Sequence, residues 1–121
     1  MARKNVIVPH MLFSAEDIST NQTSDETNIL YLDSVSIIVQ WSGTAPVGEL
    51  FVEVANKIEN DPLPTIWEAL DFGVPITVTG ASGSHNITVN QQSFSHLRLR
   101  YARSSGTGTM NAILVAKQVG G

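Results

Sequence analysis

The chain has 121 residues, a formal net charge of −4 and 42% hydrophobic residues, which suits one domain with its own core. It contains no cysteine, which excludes disulfides and thiolate metal ligands and fits assembly in a reducing cytoplasm. No stretch approaches the roughly 20 apolar residues of a membrane span, and the apolar run Val6–Val8 ends at Pro9, too early for a signal-peptide core. We therefore expect no membrane partner.

Short strand patterns separated by Gly- and Pro-rich turns recur along the chain, and no segment is long enough for a stable isolated helix. Pro9 places the first strand at a sheet edge, and the polar stretch 14–26 is expected to be a loop or arm. The expected strands are residues 6–12, 27–32, 34–41, 49–56, 66–70, 74–79, 85–89, 96–101 and 110–116. This pattern predicts an all-β, single-domain β-sandwich or jelly roll of eight or nine short antiparallel strands. We expect residues 27–121 to form the sandwich and residues 1–26 to be a strand and polar arm packed on neighbouring copies.

The segment from residue 96 to 116 has the clearest β pattern. Residues 96–101 alternate polar and apolar side chains, residues 103–108 are mostly small turn residues, and residues 110–116 are almost continuously apolar. This order predicts a β-hairpin. Its second arm is apolar on both faces, so we expect the chain's own core to cover one face and a partner subunit the other. In the alternating pattern, Trp41 and Tyr101 occupy the same face of their strands as aliphatic residues, so we expect them in the core.

Charge is unevenly distributed along the chain. Residues 1–71 contain all 11 acidic residues and three basic ones, whereas residues 72–121 contain four basic residues and no acidic one. In one interpretation, strands from the two parts neutralise each other inside one sandwich. In the other, the basic part of one copy binds the acidic part of its neighbour. The overall acidic charge disfavours a nucleic-acid partner.

Several segments between residues 27 and 121 combine into a recognisable order of β residues and turns. They are Asp33–Ile37, Gln40–Thr44, Pro46–Leu50, Trp67, Ser82–His85, Leu97–Tyr101, Ser105–Thr109, Ala112–Lys117 and Gly120–Gly121. This order resembles that of small virion structural proteins of tailed bacteriophages. The resemblance implies a β-sandwich subunit that covers a capsid or tail, and it supplies no catalytic residues.

The resemblance, the two-sided apolar strand and the charge asymmetry favour a capsid decoration or cement protein that stabilises the shell. We expect a homo-oligomer, with a trimer favoured, that binds itself and the major capsid protein or another virion protein. It would assemble in the host cytoplasm and reside in the virion. A tail or neck ring protein and a glycan-binding module of a head or tail fibre are the alternatives. The expected inter-subunit contacts are His96, Arg98, Arg100, Arg103, Val6, Val8 and Leu12, and the aromatic residue expected to contact a partner or ligand is Trp67.

No residue pattern indicates catalysis, so we expect neither an enzyme nor a bound cofactor or metal. Gly80–Gly83 is not a nucleophile elbow, because the glycine spacing is wrong and a strand follows, so we expect Ser82, His85 and Asp71 not to form a catalytic triad. The histidines lack the spacing of a preformed metal site, although His85 and His96 could meet across strands. The acidic loop at Glu59–Asp61 could hold calcium, but it lacks a Gly-punctuated Asp pattern.

Overall fold

The computed structural model describes residues 5–29, 34–56, 65–70, 75–90 and 94–119, with side chains for all of these except residues 5–8, 90 and 117–119. Within this part of the chain, eight strands form one antiparallel sheet, and no helix is long and apolar enough to cross a membrane. The strands are β1 (Asn5–Asp17), β2 (Gln22–Thr23), β3 (Thr27–Asn28), β4 (Ser34–Ala55), β5 (Glu68–Ala69), β6 (Ile76–Val78), β7 (Ser82–Asn90) and β8 (His96–Val119).

The two long strands β4 and β8 organise the sheet. They pair along their whole length, from Ser34 opposite Lys117 to Ala55 opposite His96. β1 and β7 flank one half of this pair, and the four short strands flank the other half. The sheet is therefore a ribbon four strands wide.

The ribbon has two halves, which we call layer 1 and layer 2. Layer 1 contains β1, β7, residues 34–43 of β4 and residues 109–119 of β8. Layer 2 contains β2, β3, β5, β6, residues 48–55 of β4 and residues 96–103 of β8.

An irregular segment joins the two layers. The register of β4 against β8 shifts on both sides of Val47, and Ala45 and Gly106 have φ angles of +47° and +80°. A Cβ on Gly106 would lie 2.1 Å from the carbonyl oxygen of Ala45, so only glycine fits there. Because bulges bend strands, the ribbon folds here, and one hydrophobic cluster contains buried side chains of both layers. The predicted all-β sandwich is confirmed, and the jelly-roll topology stays a prediction.

Buried positions alternate in each layer, and the phase changes at the irregular segment. In β4 the buried apolar side chains are at odd-numbered positions from Val35 to Trp41 and at even-numbered positions from Leu50 to Val54. Glu53, between two of the latter, is a buried charged residue. The predicted core positions of Trp41 and Tyr101 are confirmed, with 8% and 0% of these residues exposed. Among the largest fully buried side chains are Tyr101, Phe13, Ile18, Ile29, Ile37, Leu97, Leu99, Met110 and Leu114.

The predicted hairpin between residues 96 and 116 is wrong. Both of its arms belong to the single strand β8, and each pairs with β4 rather than with the other arm. Likewise, residues 42–48 are not a turn between two strands but the middle of β4. Gly, Ser, Thr and Pro favour bulges as well as turns, so the composition alone did not separate the two. The described residues form eight strands, within the predicted eight or nine, but two of these strands have 22 and 24 residues and are not short.

The N-terminal segment contributes to this sandwich. β1 pairs with β8 of the same chain, and Leu12, Phe13 and Ile18 are buried in its core. Residues 14–17 extend β1, and Gln22–Thr23 forms β2, where we expected a loop. The additional packing of residues 1–26 on neighbouring copies stays a prediction.

Candidate interaction surfaces

The outer surface of layer 2 has a compact group of charged and aromatic side chains, which we call the charged face: Phe51, Glu53, Trp67, Arg98 and Arg100. Arg98 and Arg100 are two residues apart in β8, so they point to the same side of the sheet. Glu53 is directly opposite Arg98 in β4. Its carboxylate oxygens accept hydrogen bonds from Arg98 Nε at 2.8 Å and Arg100 Nε at 3.1 Å.

Each guanidinium of the charged face also lies over an aromatic ring. Arg98 Cζ is 4.2 Å from the centre of the Trp67 ring, and Arg100 Cζ is 4.3 Å from that of Phe51. Such cation–π contacts stabilise by about 0.5–1 kcal/mol at exposed sites. The five side chains thus form a continuous row in which both arginines share one carboxylate. This is the internal neutralisation that one of our two interpretations of the charge asymmetry expects.

The other predicted contact residues of β8 are spread around this face. His96 is half-buried, and its Nδ1 is 2.8 Å from Ser95 Oγ. Arg103 is exposed, and its Nε donates a hydrogen bond to the Gly106 carbonyl oxygen at 2.9 Å. The hydroxyl and backbone N–H of Ser19 lower the pKa of Asp17, and the positive charge of Arg103 lowers it further to a smaller extent.

The structure does not bring all the predicted contact residues to one surface. Leu12 is 7% exposed and packs in the core of its own chain, so it has little surface left for a neighbour. Val6 and Val8 lie in β1, opposite Gln118 and Ala116, and their side chains are outside the described part. Trp67 is half-buried, and one face of its ring is in contact with Arg98. The inter-subunit roles of these residues stay predictions.

The outer surface of layer 1 has a different character. Three rows of paired residues cross it, and we call them the neutral face because none of their side chains is charged. The middle row contains Met11, Ile113 and Ile38, of which 52%, 43% and 52% are exposed. The rows, each given across β1, β8, β4 and β7, are Pro9, Val115, Ser36 and Thr88; Met11, Ile113, Ile38 and Asn86; and, without a β1 residue, Asn111, Gln40 and Ser84.

Two shallow depressions lie on this side of layer 1 and share Gln40 and Asn111. One has a volume of about 430 Å³ and is lined mainly by hydroxyl and amide side chains. The other, about 200 Å³, lies between Ile38, Ile113 and Val115. The prediction that the core covers one face of residues 110–116 is confirmed, because Ala112, Leu114 and Ala116 are buried. Its opposite face is the neutral face, and a partner covering it stays a prediction.

The described residues contain no group of three or more His, Asp or Glu side chains placed to hold a metal ion. Ser82 and His85 are three positions apart in β7, which places them on opposite sides of the strand. Asp71 and the acidic loop Glu59–Asp61 lie outside the described residues.

Sequence reasoning missed two parts of these surfaces. It did not find Glu53 as the partner of Arg98, because the two are 45 residues apart and only the β4–β8 register pairs them. It found the two-sided strand containing Ile113 but not Met11 and Ile38 beside it. The available signal was Ile38, an apolar residue at an otherwise polar position in the alternation of residues 34–41.

No protein-family model matches the sequence, and no curated protein matches it. Solved structures share its fold. The crystal structure of SPBc2 prophage-derived protein YomS is similar with a TM-score of 0.55 and 12% identity, over 93% of this chain and 95% of that protein. Infectious bursal disease virus structures of the Gx strain and of the VP2 subviral particle have TM-scores of 0.56 and 0.54 and identities of 12% and 13%.

The two infectious bursal disease virus structures align with 98% of this chain, which spans 33% and 34% of the length of their chains. The prophage-derived protein, in contrast, matches along almost all of both chains. The chain therefore has a β-fold that also occurs in a prophage-derived protein and in proteins of a virus.

Proposed function

We propose that this chain is a virion structural protein of a tailed bacteriophage that decorates the outside of the capsid. The observation that carries the proposal is the likeness in fold to a prophage-derived protein along almost the whole of both chains. The infectious bursal disease virus structures, one of them of a subviral particle, support it further. Its partners are other copies of itself, most favourably in a trimer, and the major capsid protein or another virion protein. It assembles in the host cytoplasm and remains in the virion.

The work of such a protein is mechanical and includes no catalytic step. Each copy buries apolar surface against neighbours and against the shell, which stabilises by about 25 cal/mol per Å² removed from water. Because the decoration binds the assembled shell and not its dispersed subunits, it raises the free energy of disassembly by linkage. Exposed apolar side chains such as Ile38 and Ile113 supply surface for this purpose.

Density-gradient sedimentation of a lysate from the source, with quantitative mass spectrometry of this chain across the fractions, tests the proposal. We expect the chain to sediment with full particles at hundreds of copies per particle. A handful of copies would instead indicate a tail or neck ring. Recovery only at the top of the gradient would overturn the virion role.

The contacts that we propose between copies or with the shell include His96, Arg98, Arg100 and Arg103, of which Arg98 and Arg100 belong to the charged face. Replacing Arg98 and Arg100 by Glu adds two carboxylates beside Glu53, so the double variant Arg98→Gln, Arg100→Gln is the cleaner test. We expect it to bind particles at least tenfold more weakly, provided that thermal unfolding shows a folded protein. Normal binding by the folded Gln variant would overturn the assignment of this face.

The glycan-binding alternative is favoured by one observation, the depression of about 430 Å³ lined by hydroxyl and amide groups. Trp67 offers a sugar only one ring face, because Arg98 contacts the other. A glycan panel read by tryptophan fluorescence tests this function. Saturable quenching by one glycan supports it, and no response across the panel counts against it.

A further inference from the structure

The neutral face of layer 1 has a half-exposed apolar row across its middle, flanked by uncharged, mostly polar residues. Met11, Ile113 and Ile38 lie side by side on β1, β8 and β4 because the register places them opposite one another. About half of each residue is accessible to solvent. Three large apolar side chains in one row, on a sheet surface with no charged side chain in its three rows, indicate a contact site rather than scattered surface residues.

We infer that a second copy of this chain docks on the neutral face, in a contact with two-fold symmetry. The inference deepens only the homo-oligomer part of the proposed function, and it concerns a different surface from the charged face. A two-fold contact can join two copies by itself or connect neighbouring trimers.

Charge and hydrogen-bonding capacity favour a second copy as the occupant. In a two-fold contact, every group meets groups from the same face, so a charged face would bring like charges together. This chain carries a net charge of −4, yet its neutral face brings no such repulsion. The polar members of the face have hydroxyl or amide groups that both donate and accept hydrogen bonds. Any of them can therefore pair with its own kind.

One arrangement of the two copies matches the order of the rows. In it the two-fold axis lies between the two sheets, parallel to the middle row and perpendicular to the strands. Ile113 then meets Ile113 of the other copy, and the row of Gln40 meets the row of Ser36. Asp17 lies opposite Thr109, one row beyond Asn111. Lys117 occupies the backbone position two residues beyond Val115, at the other end. The same axis places these two positions on the facing sheets, about 10 Å apart, with a lateral offset of about one strand spacing.

The area of the face sets the strength of the contact. Four strands spaced by about 4.8 Å and three rows spaced by about 6.7 Å give roughly 400 Å² per copy. A standard interface buries about 800 Å² per partner. The contact is therefore weak in solution, and it becomes effective where a shell holds many copies close together.

Sedimentation equilibrium of the purified full-length chain, from micromolar to millimolar concentration, tests the inference. We expect concentration-dependent dimerisation in the wild type, weakened at least tenfold by Ile113→Glu and also by Ile113→Lys. An equimolar mixture of these two variants is expected to regain association, because Glu and Lys meet across the axis. Ile66→Glu is the matched control, because Ile66 is 74% exposed just before β5, outside the neutral face, and this variant is expected to dimerise like the wild type.

Circular dichroism melts establish that the Ile113 variants are folded, and the smaller change Ile113→Ser serves if they are not. A wild type that stays monomeric at millimolar concentration would overturn the inference, as would Ile113 variants that dimerise normally. Failure of the mixture to associate would exclude the two-fold geometry. If the wild type is monomeric and Ile113→Glu no longer binds particles, the occupant is the shell protein, and the proposed function stands without this inference.

Discussion

The two outer faces of the sandwich share the strands β4 and β8 but differ in how their side chains are contacted. The charged side chains of one face are paired within the chain, and the apolar side chains of the other are half-exposed. In layer 2, Arg98 and Arg100 are held by Glu53 and by two aromatic rings of the same chain. In layer 1, Ile38 and Ile113 lie on the same strands with about half of each residue exposed. The arginines, which are easy to notice in the sequence, thus have charged and aromatic partners within the chain, whereas the two isoleucines lie side by side and remain half-exposed.

The difference shows that a cluster of charges and a row of exposed apolar residues are not equally good indications of an external partner. Buried or partly buried charges cost free energy unless they are paired, so the charges of such a cluster are expected to pair first with groups of the same chain. An exposed apolar row costs free energy in water and recovers it only on contact with another surface. The neutral face is therefore the stronger indication of an external partner, although the charged face is easier to see in the sequence.

The largest effect is expected at the irregular segment that separates the two faces. Gly106 combines a φ of +80° with a Cβ position 2.1 Å from the Ala45 carbonyl oxygen. We expect Gly106→Ala to lower the free energy of unfolding by about 3–4 kcal/mol, because strain and a backbone clash add. Urea unfolding followed by circular dichroism measures the change.

Gly80→Ala is the matched control for that substitution. Gly80 has a similar φ of +86°, but its nearest heavy atom, the Ser82 carbonyl oxygen, would lie 3.8 Å from an added Cβ. We expect a loss of about 1–2 kcal/mol from backbone strain alone. Equal losses at the two glycines would mean that the close approach of β4 and β8 does not constrain the joint between the layers.

The next effect concerns the carboxylate that holds the charged face together. Only 8% of Glu53 is exposed, and Glu53→Ala leaves two neighbouring arginines without it. We expect the free energy of unfolding to fall by about 2 kcal/mol, reduced from the buried-pair value because both arginines reach solvent. Thermal and urea unfolding measure the loss.

Glu49→Ala is the control on the same strand, because Glu49 is exposed and a surface substitution there is expected to cost less than about 0.5 kcal/mol. High salt distinguishes the two variants further, since screening reduces the contribution of Glu53 and hence the difference from the wild type. A Glu53 variant as stable as the Glu49 variant would show that the arginines do not depend on their carboxylate.

The fold class and much of the core could be predicted from the sequence, because period-two alternation is a local property. The alternation of residues 34–41 and 96–101 is sufficient to place Trp41 and Tyr101 in the core. The continuity of β4 and β8 could not be predicted, because residues 42–48 and 103–108 have the composition of turns. A bulge in a long strand and a turn between two strands require the same residue types.

The composition of the two faces depends on register, which is not local. Glu53 and Arg98 meet because β4 and β8 pair along their whole length, and Met11 joins Ile113 through the pairing of β1. The two-residue strands β2, β3 and β5 are too short for alternation to show. The residue types thus predicted which side chains need a charged or apolar contact. The register of distant strands determined which of these contacts form within the chain.

The smallest expected change in the free energy of unfolding concerns the buried aromatic residues, one in each layer. The indole N–H of Trp41 in layer 1 donates to the Thr79 carbonyl oxygen at 3.3 Å. The hydroxyl of Tyr101 in layer 2 has no hydrogen-bond partner among the described residues. We therefore expect Tyr101→Phe to raise the free energy of unfolding by about 1 kcal/mol, because it removes an unpaired buried group. Trp41→Phe, which breaks a hydrogen bond and leaves a gap, is expected to lower it.

The pH dependence of the same variant provides a second test with a definite sign. Burial raises the pKa of Tyr101 above its ordinary value of 10.0, and the charge of Arg103 opposes this to a smaller extent. Above pH 10.0 the unfolded chain loses the phenol proton before the folded chain does, so the wild type loses stability as the pH rises toward the folded pKa. Tyr101→Phe lacks this loss, and urea unfolding at pH 8 and above pH 10 is expected to show its advantage growing with pH. An advantage that is constant or shrinks would mean that the hydroxyl reaches water or a partner in the folded protein.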